Sequence, residues 1–154
     1  MMEHGVEILE YGDRDPFSPP PNSQGIAEIL ECARKHLERL TPQSAFELMH
    51  TPSSIPSVLV DIRPFHQRQA EGIIEGALVI ERNVLEWRFD PRSDARLEVA
   101  KRYDIRVVVF CSEGYTSSLA ARSLQQLGLW KATDMDGGYK AWAREGLGGV
   151  PSKQ

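Results

Sequence analysis

The sequence predicts a single α/β domain built on a parallel sheet. Two short apolar runs, residues 58–60 and 107–110, have the uninterrupted Val-rich pattern of strands that are buried on both faces. Segments with helical spacing of apolar residues separate the predicted strands, and such alternation is typical of a parallel sheet with helices on both faces. The 154 residues fit one domain, and a hydrophobic fraction of 41% is enough for its core.

The first 40 residues divide into an arm and a helix. Residues 1–25 are rich in proline and poor in apolar side chains, which predicts an extended or disordered arm. Residues 26–40 carry apolar residues at helical spacing, which predicts a helix at the start of a domain over residues 26–150. A homodimer contact and packing within the chain would each bury this stripe. Whether the apolar residues of the arm dock on a neighbour is also left open by the sequence; these residues are Val6, Ile8, Leu9 and Tyr11.

Helices and strands alternate after residue 40. Thr41 as N-cap and Pro42 in the first turn predict a helix that runs to His50. Thr116 or Ser117 is expected to cap the helix that follows the second apolar run. The other predicted elements are strands at 58–61, 77–80, 107–110 and 132–135, helices at 64–70, 83–87, 96–103, 116–127 and 139–145, and a tail at 151–154.

Composition and charge argue against several classes of protein. The formal net charge is −4, and residues 1–25 carry all of it, so the body is neutral and has no basic patch for nucleic acid. No run of about 18 apolar residues is present, and the N-terminus lacks the pattern of a signal peptide, so we expect no membrane partner. Cys32 and Cys111 are too few for a disulfide framework, which favours the cytoplasm. The scattered histidines predict no metal site.

Cys111 stands where the second apolar run ends and a short polar loop leads into a predicted helix. Reactive groups of parallel sheets lie at the carboxyl ends of the strands. The first amides of a helix have no partner within it, and its dipole is positive there, so the position favours a thiolate and binds oxyanions. The alternative is a buried cysteine that acts as a small hydrophobe. Cys32 lies off the helical stripe and is expected to be an inert, partly exposed thiol.

Four segments, in this order, resemble the single-domain rhodanese-like family. Leu-Val-Asp-Ile-Arg at 59–63 resembles the first strand with its Asp-x-Arg ending, and Gly-Ile-Ile-Glu-Gly-Ala at 72–77 resembles the Gly-His-Ile-Pro-Gly-Ala turn. Val-Phe-Cys at 109–111 with the polar residues after it resembles the active-site loop. Asp-Gly-Gly-Tyr-Lys-Ala-Trp at 136–142 resembles the closing Gly-Gly-x-x-x-Trp segment. The resemblance covers about two-thirds of the chain.

The resemblance implies a five-stranded parallel sheet and a cofactor-free sulfurtransferase. Cys111 would attack a small sulfur donor, become a persulfide and pass the outer sulfur to a thiol, to cyanide or to a protein acceptor. Asp61 and Arg63, at the end of the first strand, would brace the loop or lie near the substrate. The residues expected to form the active-site loop after Cys111 are Ser112, Glu113, Gly114, Tyr115, Thr116 and Ser117.

The chain departs from the family pattern at Ile73 and Glu75, where His and Pro are usual, and at Ser112 and Glu113, where basic residues are frequent. A carboxylate at ~4 Å in water opposes a thiolate by about 1 kcal/mol, whereas a helix N-terminus favours an anion by up to ~2 kcal/mol. We therefore expect the thiolate to persist and a dianionic donor such as thiosulfate to be used poorly. Candidates for positive charge at the mouth are Arg68, Arg82, Arg88 and Arg92.

Two other functions fit parts of the pattern. Phosphatases and arsenate reductases of related fold have a longer loop that ends in arginine, but the next arginine here is Arg122, well inside the predicted helix. Without that guanidinium group, oxyanion transfer is disfavoured. A non-catalytic interaction module would keep the fold for protein contacts, and the presence of Cys111 argues against it.

Overall fold

The computed structural model of the chain describes residues 14–152. The predictions for the N-terminal half of the arm, including its apolar residues, and for the end of the tail lie outside the described residues. The elements are helices α1 (Ile26–Arg34), α2 (Pro42–His50), α3 (Phe65–Glu71), α4 (Leu85–Phe89), α5 (Thr116–Gln126) and α6 (Gly138–Arg144), a 3₁₀ turn (Arg82–Val84), and strands β1 (Ser57–Asp61), β2 (Leu78–Val79), β3 (Arg106–Phe110) and β4 (Thr133–Asp134).

The sheet has the order β2-β1-β3-β4, and every pair is parallel. This confirms the predicted parallel sheet, but residues 14–152 form four strands instead of five. At the outer edge of β4, where a fifth strand would lie, Leu40 makes a single bridge to Met135. Thr41 then caps α2 by accepting a hydrogen bond from the Ser44 amide, so the chain leaves the edge after one residue.

The central strands β1 and β3 direct alternate side chains to opposite faces, as pleated strands must. On one face Val58, Val60, Val107 and Val109 pack against α4 and α5. On the other face Leu59, Val108 and Phe110 pack against α2 and the Trp142 side chain of α6. Helices therefore cover both faces, as predicted, and the carboxyl ends of β1 and β3 emerge side by side.

Helix α1 ends at Arg34, six residues earlier than predicted. The amides of His36 and Leu37 bond to carbonyls three residues back, so the chain tightens into turns before it reaches Leu40. The expected stripe is also less buried than predicted, because Ile26 remains 68% exposed and Ile29 41% exposed. Helix α1 itself packs against α5.

The predicted helix at 96–103 is wrong, since this segment is a series of turns. The Leu97 amide donates to the Arg88 carbonyl and is therefore not available for a helical bond. Leu97 and Val99 instead pack on the core beside α4. None of the helices in the described chain has the length and apolarity needed to cross a bilayer.

Candidate active site

Cys111 directly follows β3 and lies at the carboxyl edge of the sheet. The residue is 5% exposed and forms part of the core cluster on the α5 side. Its sulfur accepts a hydrogen bond from the Gly114 amide, with 3.2 Å between N and Sγ. The thiol is thus neither isolated among aliphatic groups nor open to solvent: one peptide group of the following loop points at it.

Gly114 gives the loop its shape. Its φ of +89° is in the left-handed region, and an added Cβ would lie 2.8 Å from the Gly137 nitrogen. A side chain here would therefore meet both backbone strain and a steric clash. This glycine allows the chain to turn back so that its amide reaches the Cys111 sulfur.

The start of α6 holds the other side of the loop. The Tyr139 amide donates to the Cys111 carbonyl at 2.8 Å, and the Lys140 amide donates to the Ser112 carbonyl at 3.1 Å. Gly138 makes this contact possible, because a Cβ at this position would lie 2.6 Å from the Cys111 carbonyl oxygen. Gly138 is thus required by the close approach of two backbones.

Helix α5 begins at Thr116, but the predicted cap by Thr116 or Ser117 is wrong. Tyr115 occupies the N-cap position and its side chain makes no capping hydrogen bond. The Ser117 and Ser118 hydroxyls instead donate to the buried Asp134 carboxylate, each at 2.8 Å. No side chain therefore caps the first amides of α5, and the Ser118 amide donates to the Tyr115 carbonyl at 3.1 Å.

Asp61 and Arg63 form a buried pair beneath the loop. Arg63 is 1% exposed and donates from Nε and Nη2 to the two carboxylate oxygens of Asp61, at 2.9 and 2.7 Å. It also lies over the Tyr139 ring at 4.2 Å and donates to the Gly72 carbonyl. All of these contacts are with other residues of the chain, and bracing of the loop by this pair stays a prediction.

Ser112 is connected to this pair through Glu71. The Ser112 hydroxyl lies 2.6 Å from one Glu71 oxygen, and Arg63 Nη1 lies 3.3 Å from the other. The hydrogen bond from Ser112 lowers the pKa of Glu71, while burial opposes this shift and the charges of Arg63 and Lys140 reinforce it. Glu71 therefore carries a charge that is fully partnered next to the loop.

The charge of Glu113 is compensated by a neighbour. Lys140 Nζ lies 2.7 Å from Glu113 Oε1, and both side chains are about half exposed. The expectation that thiosulfate is used poorly assumed that the Glu113 carboxylate is unpaired, so the ion pair with Lys140 weakens its physical basis. Tyr115, which is 61% exposed, and the exposed Thr116 complete the outer rim.

Sequence reasoning missed two arginines that contact the loop. Arg34 Nη2 and Arg39 Nη2 donate to the same oxygen, the Gly114 carbonyl, at 2.8 and 3.0 Å. Arg39 also binds both carboxylate oxygens of Asp134. Burial lowers the pKa of Arg39, but Asp134, Asp136 and the Cys111 sulfur raise it by more, so the net shift is upward. No spacing in the sequence links these residues to a loop 75 positions away.

The four arginines proposed for the mouth bind elsewhere. Arg68 donates to the Arg63 carbonyl and Glu81, and Arg82 pairs with Glu86. Arg88 donates to the Ala95 carbonyl and Arg92 contacts Asp90. Arg88 also lines a groove of about 610 Å³ along β2, which contains no residue of the loop. Among the described residues, Arg34, Arg39 and Lys140 do contact the loop with their cationic groups.

Comparison with known proteins places this geometry in a family. The sequence model of the rhodanese-like domain matches residues 41–145. The adenylyltransferase and sulfurtransferase MOCS3 of Oryza sativa subsp. japonica is 33% identical over 97 residues. This match covers 60% of the chain but only 22% of the rice protein, so the chain spans less than a quarter of that relative.

Solved structures share the fold over most of the chain. A Rhodopseudomonas palustris CGA009 protein described as a possible tyrosine phosphatase is 32% identical, with a TM-score of 0.73 over 86% of this chain and 98% of that one. The polysulfide-sulfur transferase of Wolinella succinogenes, a homodimer, is 22% identical, with a TM-score of 0.58 over 82% of this chain and 88% of that one. The second likeness concerns the fold alone.

Proposed function

This chain belongs to the rhodanese-like domain family, and on that premise we propose that it is a sulfurtransferase whose Cys111 carries sulfur as a persulfide. The observation that carries the proposal is the hydrogen bond from the Gly114 amide to the Cys111 sulfur, at the carboxyl end of β3. An amide donor stabilises a sulfur anion without a proton acceptor, and a helix N-terminus adds to the effect. The rhodanese-like relatives support the same chemistry.

The proposed reaction consists of two displacements at sulfur. The Cys111 thiolate attacks the sulfane sulfur of a small donor; a new S–S bond forms, the donor bond breaks, and the donor leaves with the electron pair. A thiolate or cyanide then attacks the outer sulfur of the persulfide. The Cys111–sulfur bond breaks, and its electron pair returns to Cys111 as the thiolate. Each step moves one electron pair, so neither step requires an oxidant or a cofactor.

The residues around Cys111 support these steps by geometry. The Gly114 amide and the first amides of α5 stabilise the persulfide anion. Gly138 and the α6 amides hold the loop backbone in place, while Asp61, Arg63 and Glu71 hold it from below through Ser112. We assign Ser112, Glu113, Tyr115, Thr116 and Ser117 to the loop that the donor and acceptor approach.

A phosphatase is the second candidate, and the likeness to the Rhodopseudomonas palustris protein favours considering it. A phosphatase loop needs a guanidinium group that faces the bound oxyanion. Here Arg34 and Arg39 bind the Gly114 carbonyl oxygen, which points away from the amide side of that peptide. We therefore expect no hydrolysis of p-nitrophenyl phosphate above the level of a Cys111→Ser variant.

Intact mass spectrometry tests the proposal. After incubation with thiosulfate or polysulfide, the protein should gain one reducible adduct of about 32 Da, the mass of one sulfur atom bound to the reactive thiolate. The adduct should form on a Cys32→Ser variant and not on Cys111→Ser, and cyanide should remove it as thiocyanate. If neither donor produces an adduct on the wild type, the proposal fails and a non-catalytic interaction module becomes the better description.

A further inference from the structure

The segment before the family match takes part in the proposed active site. The rhodanese-like match begins at residue 41, whereas Arg34 and Arg39 lie in α1 and in the turn after it. Their guanidinium groups converge on one atom, the Gly114 carbonyl oxygen. Gly114 is also the residue whose amide donates to the Cys111 sulfur. One residue of the loop thus links the sulfur to two cations from outside the family match.

The geometry of the peptide bond gives this contact a consequence. In a trans peptide the C=O and the N–H of the same unit point in opposite directions. Arg34 and Arg39 hold the carbonyl of the Gly114–Tyr115 peptide on one side, so the Tyr115 amide must point to the other. The N–H that donates to the Cys111 sulfur belongs to the preceding peptide, Glu113–Gly114, so the held carbonyl and the sulfur-bound amide are joined through the Gly114 Cα.

Arg39 is itself fixed by a buried carboxylate. Asp134 is fully buried and accepts from Arg39 Nε at 2.9 Å and Nη2 at 3.2 Å, as well as from the Ser117 and Ser118 hydroxyls. Arg34 Nε reaches the same group of residues through the Ser118 hydroxyl, at 3.0 Å. The fork geometry of arginine allows one side chain to bind the helix and the loop together.

On the premise of the proposed sulfurtransferase function, we infer that Arg34 and Arg39 are positioning residues that hold Gly114 so that its amide stays aimed at the sulfur of Cys111. Neither guanidinium group needs to touch the donor or the acceptor. They act through Gly114, whose carbonyl they hold and whose amide donates to the sulfur. The segment 26–40 is then part of the catalytic unit, and a protein cut to the family match would lack it.

Reactivity of Cys111 tests this inference in the full chain, with Cys32→Ser as background so that Cys111 is the only thiol. The variants are Arg34→Gln, Arg39→Gln and Arg39→Lys, and the matched control is Arg102→Gln, which removes an exposed arginine paired with Asp104. The readouts are the alkylation rate with iodoacetamide at pH 7, the half-life of the persulfide and the melting temperature. Direct removal of an oxyanion-hole donor costs ~10²–10³-fold, so a residue acting through a donor should cost about tenfold.

We expect Arg34→Gln to lower both the alkylation rate and the persulfide half-life about tenfold while the protein stays folded. Arg39→Lys keeps the positive charge but loses the forked guanidinium group. Its alkylation rate and persulfide half-life should fall between those of Arg34→Gln and those of the control. Arg39→Gln removes a positive charge that partners the buried Asp134 carboxylate, so this variant is the most prone to unfold. If it unfolds, Arg34→Gln and Arg39→Lys decide. Folded variants with rates within twofold of Arg102→Gln would overturn the inference.

The experiment separates this inference from the proposed function. If the wild type takes up no sulfur but alkylation still slows in Arg34→Gln, the positioning role stands and sulfur transfer is overturned. If the wild type forms the persulfide and the arginine variants behave like the control, sulfur transfer stands and the positioning role is overturned.

Discussion

Lys140 Nζ lies 2.7 Å from Glu113 Oε1, so the two opposite charges at the rim of the loop neutralise each other. The hydrogen bond and the charge of Glu113 raise the pKa of Lys140. An exposed pair of this kind contributes little to stability, because solvent and salt screen it. Its importance lies in the net charge that an approaching anion meets.

The first prediction concerns this rim. Glu113→Gln leaves Lys140 unpaired and should lower the KM for thiosulfate a few-fold at low ionic strength. Lys140→Gln should raise this KM by a similar factor. The reason is that a poorly screened charge at the rim attracts or repels the thiosulfate dianion at contact distance. Glu113→Lys should lower KM further. Steady-state kinetics at low and high salt measure the effect, which should shrink at high salt. A change of both neutral variants in the same direction would contradict this account.

The second prediction uses two glycines with the same positive φ. Gly138 and Gly146 both have φ of +63°, but a Cβ at Gly138 would lie 2.6 Å from the Cys111 carbonyl oxygen, whereas a Cβ at Gly146 would meet nothing within 4 Å. Gly146→Ala should cost about 1–2 kcal/mol, the usual cost of a left-handed residue, and leave sulfur transfer unchanged. Gly138→Ala should destabilise more and abolish the adduct. Urea unfolding and intact mass measure both effects.

If Gly138→Ala lost no more stability than Gly146→Ala and still formed the adduct, the contact between α6 and the loop would not matter for reactivity.

The third prediction concerns pH. Because the folded state lowers the pKa of Glu71, the ionised form contributes stability that is present above the unfolded value of 4.5 and is lost as pH falls through the lower folded pKa. The Ser112 hydroxyl is the main cause of this shift, so Ser112→Ala should reduce the loss of stability between neutral pH and pH 3. Urea unfolding across this range measures it, with Glu71→Gln as the reference in which the titration is absent.

An unchanged pH profile in Ser112→Ala would show that the hydrogen bond to Glu71 does not persist in solution.

The fourth prediction concerns the buried pair of Asp61 and Arg63. Arg63→Met leaves the buried Asp61 carboxylate without its main partner, and removal of one member of such a pair typically costs about 3–5 kcal/mol. The double variant Asp61→Leu/Arg63→Met should recover much of this loss of stability, since the buried Asp61 charge is removed together with its partner and the partly exposed Glu71 keeps the Ser112 hydroxyl. Chemical denaturation of the single and double variants measures the coupling. A double variant that is less stable than Arg63→Met would contradict the assignment as an internal brace.

Local patterns in the sequence were sufficient for the elements that carry the chemistry. The Val-rich run before Cys111, the glycine after it and the Gly-Gly pair at 137–138 each reflect a backbone requirement, and the structure places all three at one edge of the sheet. Such requirements are local because strand burial and positive φ leave few choices of residue. The fourth central feature, the Asp61–Arg63 pair, is also visible in the sequence because its partners are two positions apart.

Patterns of the same kind misled where distant contacts compete with local ones. Ser117 stands where a cap is expected, but its hydroxyl binds Asp134 instead, since a buried carboxylate is the stronger acceptor. Residues 35–40 continue a helical stripe, yet Leu40 pairs with the backbone of residues 134 and 136 at the edge of the sheet. In both places a tertiary hydrogen bond replaces the local one.

The sequence by itself determined the parallel α/β fold, the family and the position of Cys111 at the end of a buried strand. Only the tertiary structure decided which charges surround that position: Lys140 beside Glu113, and Arg34 and Arg39 on the Gly114 carbonyl across 80 and 75 residues. The physical reason is that backbone conformation depends on near neighbours, whereas the reach of a long charged side chain depends on how separate elements pack together.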